Sequence, residues 1–457
     1  MITVRRRCTG TTWSCYNHEN TSSKTSEVAE RAKRQSAALE LKAAGRAARA
    51  ASRRLAFLST AVKNNALLNI ANALLSRQEE ILAANRVDYD DARASGMSES
   101  MIDRLILSPS RLEAMAQDVR AIAALPDPVG EIIEKRTLPN GLEISKRRVP
   151  LGVIGAIYES RPNVTIDISC LCLKSGNAII LRGGKEAINS NSVLARIAQE
   201  ACRQAGVPDG AIQFIQSPEH ALVKQMLKMK GVIDLIIPRG GAGLIKLISE
   251  NATMPVITGG IGVCHAYIDK EADIEKATAI AYNAKVQRPT VCNALDCLLV
   301  HAEIAPAYLP KIARRWAEAG VEMHCDQRAL EILKPIPFLQ IVPAADGDWG
   351  KEFLSLTAAI KIVGSLDEAL EHIETYGSGH SEAIVTENHA AAQRFLNEVD
   401  AACVYVNAST RFTDGSQFGM GAEIGISTQK FHARGPMSLR EITSYKWTIL
   451  GNGQVRA

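Results

Sequence analysis

The stretch Val153-Ile-Gly-Ala-Ile-Tyr-Glu-Ser-Arg-Pro-Asn163 reads as an apolar, β-branched strand that stops at a polar turn. The pattern then repeats. Ala178–Leu181, Ala211–Ile215, Leu235–Ile237 and Val256–Thr258 are further short apolar runs. Helical segments such as Ser190–Ala205 and Ser217–Lys228 lie between them, with Ser217-Pro218 as cap and first residue of the second. Strands alternating with helices over residues 151–260 predict an α/β unit, a mostly parallel sheet covered on both faces. Ligands on such sheets bind at the carboxyl ends of the strands. Those ends read Glu159-Ser-Arg-Pro-Asn163, Arg182-Gly-Gly-Lys185, Pro238-Arg-Gly-Gly-Ala-Gly243 and Thr258-Gly-Gly-Ile-Gly262. Three are glycine-rich and two of those carry a cation, which suits close backbone approach to phosphate. Glycine after a strand is also ordinary turn chemistry, so the argument rests on repetition in register. Neither the G-x-G-x-x-G dinucleotide fingerprint nor a P-loop is present.

Residues 261 to about 405 begin a second alternating unit. Its strands are Ala266–Ile268, Leu295–Val300, Ala358–Val363 and Ala383–Val385, with helices such as Pro306–Ala319 and Ala391–Val399. Inside it lies Asn283-Ala-Lys-Val-Gln-Arg-Pro-Thr-Val-Cys-Asn-Ala-Leu-Asp-Cys297, a helix end, a polar basic loop and a returning strand. Cys292 sits where the loop turns back, and nearby Lys285 and Arg288 are expected to favour its thiolate, the form that attacks carbonyl carbon. Asn293 and backbone N–H groups offer donors to a developing oxyanion. The competing reading of Cys292 is a small buried hydrophobe. A thiol in one unit and glycine loops in the other describe an interdomain cleft.

The 457 residues exceed one ordinary core and predict two or three domains. A formal net charge of +4 gives no argument for nucleic acid or a membrane surface. The ten cysteines have no paired spacing and the nine histidines no metal-ligand spacing, so no metal site is expected. Reduced thiols and the lack of a long apolar span suit the cytoplasm. Residues 1–25, with Arg5-Arg6-Arg7 ahead of a Thr/Ser/Asn-rich segment, read as a disordered extension outside the fold. Residues 26–125 are helical throughout, with a stripe at Leu41, Ala44, Ala48, Ala51 and Leu55. Ser59 and Ser108-Pro109 mark helix starts. Alternation on either side of Pro139-Asn140-Gly141 predicts a β-hairpin over residues 131–150. A lone ribbon is marginal, so it is expected to lie against something else; Ile442, Ser444, Lys446, Thr448 and Leu450 alternate as a further strand for it.

Six blocks, in order, carry a resemblance. They are Tyr158-Glu-Ser-Arg-Pro-Asn-Val-Thr165, Leu181-Arg-Gly-Gly-Lys-Glu186, Ile237-Pro-Arg-Gly-Gly-Ala-Gly243, Val256-Ile-Thr-Gly-Gly-Ile-Gly-Val-Cys-His265, Gln287-Arg-Pro-Thr-Val-Cys-Asn293 and Val406-Asn-Ala-Ser-Thr-Arg-Phe-Thr-Asp414. From about Leu39 to Ala457 the chain resembles the aldehyde dehydrogenase superfamily, and within it the γ-glutamyl phosphate reductase family. The resemblance implies a Rossmann-like NADP(H)-binding domain (26–130 and 151–260), an α/β catalytic domain (261–425) and oligomerisation strands (131–150 and 436–457). It also implies that Cys292 is the catalytic thiol and Asn163 an oxyanion donor, a turn residue being the alternative for Asn163. Arg182, Lys185, Arg239, Gly240, Gly241, Gly259, Gly260 and Glu352 are implied for cofactor. Arg182 with Lys185 would favour NADP(H) over NAD(H). Arg161, Arg288 and Arg411 are candidates for substrate phosphate and α-carboxylate. Hydrolytic aldehyde dehydrogenases carry a glutamate where this chain has Thr258, so phosphate rather than water is expected to exchange with a thioester. A homo-oligomer, a small-molecule substrate and functional coupling to glutamate 5-kinase are the implied partners. A hydrolytic or CoA-acylating dehydrogenase, or a non-catalytic nucleotide-binding scaffold, would share much of this pattern.

Overall fold

The computed structural model describes residues 16–259 and 261–456, and side chains from residue 35 onward except those of 100 and 242. Five helices come first: α1 (Tyr16–Leu55), α2 (Thr60–Ser76), α3 (Gln78–Ala94), α4 (Glu99–Leu105) and α5 (Pro109–Ala124). α1 begins inside the 25 residues that the sequence sets outside the fold, and residues 1–15 of that extension lie outside the described residues. Its stripe Leu41, Ala44, Ala48, Ala51 and Leu55 is buried. Ser59 accepts from the Val62 N–H and Ser108 from the Arg111 N–H, capping α2 and α5.

A hairpin follows, β1 (Ile132–Thr137) and β2 (Glu143–Pro150), closed at Gly141 with φ +83°. Then come β3 (Val153–Tyr158), α6 (Pro162–Lys174), β4 (Ala178–Arg182), α7 (Ile188–Gln204), β5 (Ile212–Phe214), α8 (His220–Met226), β6 (Leu235–Arg239) and α9 (Ala242–Asn251). The sheet order is β5-β4-β3-β6, every pair parallel, the expected α/β arrangement. Two local expectations fail. Val256–Thr258 makes one isolated bridge to Ile236; the next donor along β6 would be Pro238, which has no N–H, so the pairing stops there. Ser217-Pro218 does not open α8; the Pro218 carbonyl instead accepts Arg182 Nη2 at 2.8 Å, and the helix starts at His220.

Two fully buried lysines tie this unit together. Lys63 Nζ pairs with Asp127 at 2.7 Å, and Lys174 Nζ donates to the Ala123 carbonyl at 2.8 Å and to Asn64 Oδ1 at 2.6 Å. Removing the carboxylate leaves two desolvated ammonium groups without a counter-charge. Asp127→Ala is expected to cost about 3–5 kcal/mol, read as a lower urea midpoint at unchanged slope.

The second unit runs β7 (Cys264–Ile268), α10 (Ile274–Val286), β8 (Leu295–His301), α11 (Ala305–Glu318), β9 (Glu322–Cys325), α12 (Gln327–Leu333), β10 (Ile341–Pro343), β11 (Thr357–Val363), α13 (Leu366–Tyr376), β12 (Ser381–Val385), α14 (His389–Glu398) and β13 (Cys403–Val406). Its seven strands lie parallel in the order β10-β9-β11-β8-β7-β12-β13. Successive residues of β8 serve opposite faces: Leu298 and Val300 join one core, Cys297 and Leu299 the other. After the short pair β14 (Gly425–Ser427) and β15 (Gly435–Met437), strand β16 (Thr443–Leu450) runs antiparallel to β2 from Thr443↔Pro150 to Leu450↔Glu143. Tyr445, Trp447, Ile449 and Leu450 of this three-stranded ribbon are exposed. Among the described residues no helix is long and apolar enough to cross a membrane.

Candidate active site

Cys292 lies in the turn between α10 and β8. The turn is seated by main-chain contact: a Cβ placed on Gly262 would collide with the Cys292 carbonyl oxygen. Cys264 Sγ donates to that same carbonyl at 3.2 Å, so the entry to β7 and the cysteine turn hold each other. Burial pushes the Cys292 thiol up to about 11; Arg239 pulls the other way, while Glu352 and Glu423 oppose the thiolate.

This corrects the electrostatics read from the sequence. Lys285 is fully buried, donates to the Leu295 carbonyl at 2.7 Å and pairs with Asp296 at 3.6 Å, so the last turn of α10 aims it under the loop. Asn293 is no free oxyanion donor either. Its Nδ2 donates to the Thr413 carbonyl at 2.9 Å, and its Oδ1 accepts from Arg411. The nearby cation is Arg239, which the sequence assigned to the cofactor loop. A Cβ on Gly425 would meet the Arg239 guanidinium, which also acts on Asp167 and Glu423.

Three more arginines converge here. Burial, and then Arg239, Arg104 and Arg288, hold Arg161 down to about 10, with Cys292 acting against them. Arg411 is lowered by burial and by Arg288, and its Nε donates to Gln287 Oε1 at 2.7 Å. Among the described residues none of Arg161, Arg239, Arg288 and Arg411 forms a salt bridge, although thirteen other arginines do. Cations crowded together without salt-bridge partners make a site for an anion.

Asn163 is the second residue of α6, two positions after Arg161. Its Nδ2 donates to Asp167 Oδ2 at 2.8 Å, one helical turn on. Burial pushes the Asp167 carboxyl up to about 7 against that bond.

A separate cleft of about 670 Å³, counting space open to solvent, lies at the carboxyl ends of β3 and β4 against α8 and α9. Arg182, Lys185, His220 and Lys224 line it. Arg182 is 6% exposed and its Nη2 donates to the Pro218 carbonyl, whereas Lys185 beside it is exposed. At the N-terminus of α9, Glu159 Oε2 accepts from the Gly241 N–H at 2.9 Å, and a Cβ on Gly240 would collide with Glu159. A carboxylate thus occupies the place where a helix N-terminus takes a phosphate. A Cβ on Gly259 would meet the Ile426 carbonyl, and Glu352 accepts from the Gly262 N–H at 3.0 Å beneath the cysteine turn. Gly260 lies outside the described residues.

Known proteins resemble this chain over most of its length. Residues 13–330 match the family model described as aldehyde dehydrogenase family. The γ-glutamyl phosphate reductase of Dehalococcoides mccartyi is 62% identical over 420 residues, covering 92% of this chain and 99% of that protein. That of Roseiflexus castenholzii is 55% identical over 417 residues, 90% of this chain and 98% of the relative. The crystal structure of γ-glutamyl phosphate reductase from Thermotoga maritima superposes with a TM-score of 0.89 at 47% identity, covering 92% of this chain and all of that one. The chain belongs to the γ-glutamyl phosphate reductases of the aldehyde dehydrogenase family. It is an oxidoreductase, and membership implies a nicotinamide cofactor and a small-molecule substrate. The cleft fits such a group, with Lys185 and Lys224 in its lining as cations.

Four candidate residues escaped the sequence reading. Asp167 was within reach, since a carboxylate four residues after Asn163 shares its helix face. His220 and Lys224 had no signal beyond helical spacing, and Glu423 sits in a glycine-rich segment without periodicity.

Proposed function

We propose that this chain reduces L-γ-glutamyl 5-phosphate with NADPH, giving L-glutamate 5-semialdehyde and phosphate in proline biosynthesis. The observation that carries this reading is the set of four arginines without salt bridges around one cysteine. A substrate bearing both a phosphate and an α-carboxylate supplies the anions that such a set lacks. Cys292, once deprotonated, attacks the acyl carbon; the C–S bond forms, the C–O bond to phosphate breaks, and phosphate leaves toward the arginines. Glu352 and Glu423 are the carboxylates whose charge acts on the thiol. NADPH, when bound, supplies a hydride. Asn163 then holds the negative oxygen, and the sulfur departs as thiolate when the aldehyde forms. Thr258 carries no carboxylate to activate water; its N–H donates to Gln429 Oε1 at 3.3 Å. A thioester here would resist water and persist until hydride reduces it or, in the reverse direction, phosphate displaces the thiol.

The assay is NADP⁺ reduction with the semialdehyde, with and without phosphate. The rate is expected to rise and saturate with phosphate; a phosphate-independent rate, or dependence on coenzyme A, would overturn the reading. Arg288 is exposed at the rim, so Arg288→Ala should raise KM for phosphate about tenfold with kcat little changed. Lys185 and Lys224 support the choice of NADPH. Lys224→Ala is expected to weaken NADPH about tenfold and NADH little, measured by fluorescence titration. In the same reading the cofactor domain spans 26–130 and 151–260 and the catalytic domain 261–425. The ribbon from 131–150 and 436–457, with its exposed aromatic face, joins protomers. Coupling to the kinase that makes the labile acyl phosphate would limit its loss to water.

A further inference from the structure

The pattern Arg182-Gly-Gly-Lys185 reads in the sequence as room for a phosphate, yet side chains of this chain fill that room. A Cβ on Gly183 would collide with Asn191 Nδ2, and one on Gly184 with the Glu186 carboxylate. Glu186, in the single turn Lys185–Ala187, and Asn191, on α7, both reach across to the segment that follows β3, the parallel neighbour of β4. Glu186 Oε1 accepts twice from Ser160, from the N–H at 2.6 Å and from Oγ–H at 2.8 Å. Asn191 Oδ1 accepts from Thr165 Oγ1 at 2.8 Å, and Thr165 accepts in turn from the Tyr158 hydroxyl at 2.6 Å. We infer that Glu186, which the mechanism above does not use, is a positioning residue: by holding Ser160 it sets how α6 leaves the sheet, and so where Asn163 stands.

The first support is the backbone of Ser160. Its φ is +39°, in the left-handed region that a side-chain-bearing residue keeps only when its surroundings hold it there. Ser160 is 4% exposed, so its N–H and hydroxyl cannot turn to water instead. Glu186 supplies the acceptor for both.

The second is the shortness of the connection. β3 ends at Tyr158 and α6 begins at Pro162, so Glu159, Ser160 and Arg161 carry the whole change of direction. The Glu159 N–H still donates to the Arg239 carbonyl at 3.0 Å, as an extension of the sheet. Arg161 is the N-cap of α6 and makes no side-chain bond to the helix. The turn therefore depends on Ser160.

The third is what lies between the two anchors. Ser160 is held by Glu186 and Thr165, 0% exposed, by Asn191. Of the residues between them, Pro162 and Val164 are buried, and Arg161 and Asn163 are the half-buried pair. Asp167 orients the Asn163 amide within the helix, whereas Glu186 places the head of the helix itself. A displacement of about 1 Å at a reacting centre is enough to lower a rate severalfold to a hundredfold.

Glu186 also lines the cofactor cleft, so a direct bond to a cofactor ribose hydroxyl is the rival role. Reach and charge separate the two. Glu186→Gln keeps an acceptor oxygen at the same reach and removes the charge; Glu186→Asp keeps the charge and falls short.

The test is steady-state NADP⁺ reduction with the semialdehyde, together with fluorescence titration of NADPH, on the full chain. Its catalytic arm rests on the role proposed above for Asn163. Glu186→Gln is expected to keep kcat within about threefold of wild type, while Glu186→Asp and Glu186→Ala each lose about tenfold. NADPH should bind all three within about twofold of wild type. Added to Asn163→Ala, Glu186→Ala should cost no more than about twofold further in kcat. A crystal structure of Glu186→Ala should show Ser160 outside the left-handed region. An unchanged Ser160, a wild-type rate in Glu186→Asp with a loss in Glu186→Gln, or NADPH weakened about tenfold by Glu186→Ala would each overturn the inference. Should Glu186→Ala not fold, the ranking of Gln above Asp decides. The reductase reading fails separately, in a wild-type rate indifferent to phosphate, so either proposal can fail alone.

Discussion

Cys292→Ala abolishes turnover, by a factor on the order of 10⁴ or more, while NADPH binds within about twofold of wild type. The two outcomes separate because the cleft at β3 and β4 shares no side chain with the cysteine turn. Retained activity in the alanine variant would end the covalent route. Activation of the thiol is measurable as well. Because burial raises its pKa to about 11, the resting enzyme holds roughly one thiolate in 10⁴ at pH 7. Alkylation of Cys292 by iodoacetamide should therefore be slow at neutral pH and rise about tenfold per pH unit toward 10. The sign follows from the raised value: the reactive form is lost as pH falls. Arg239→Gln removes the favouring cation and should slow alkylation further at every pH below the plateau.

Asn163→Ala is expected to lower kcat about 10²–10³-fold with a smaller change in KM, since its donor matters most when the oxygen is negative. Asp167 adds a way to test the geometry. It holds Asn163 by one hydrogen bond, so it acts as a positioning residue. Asp167→Ala should cost about tenfold in kcat alone, but nothing further when added to Asn163→Ala. A full additive loss in the double variant would give Asp167 a role of its own.

Much of the scaffold was legible because β-branched runs and caps act locally. Val153–Tyr158, Leu295–His301 and the Ser59 and Ser108 caps need only neighbours in the chain to be recognised. Val256–Thr258 has the same local character but pairs by a single bridge, and pairing is a property of the neighbour, which the sequence does not show. The site divides along the same line. Cys292 could be located from its loop and its block order. Lys285 could not be placed, since seven residues of separation in a helix and turn do not reveal that its side chain points down to Asp296. Arg239 has the composition of a cofactor loop, yet its guanidinium faces the cysteine side. Glu186 and Ser160 meet only after β3 and β4 have paired.

The contact between residue 262 and the carbonyl above it has a bearing on engineering. Main chain meets main chain there, so the position of the turn is fixed before the side chains around it are chosen. Any side chain at position 262 would displace the turn that carries Cys292. Redesign of substrate length has to be attempted from the walls of the cavity.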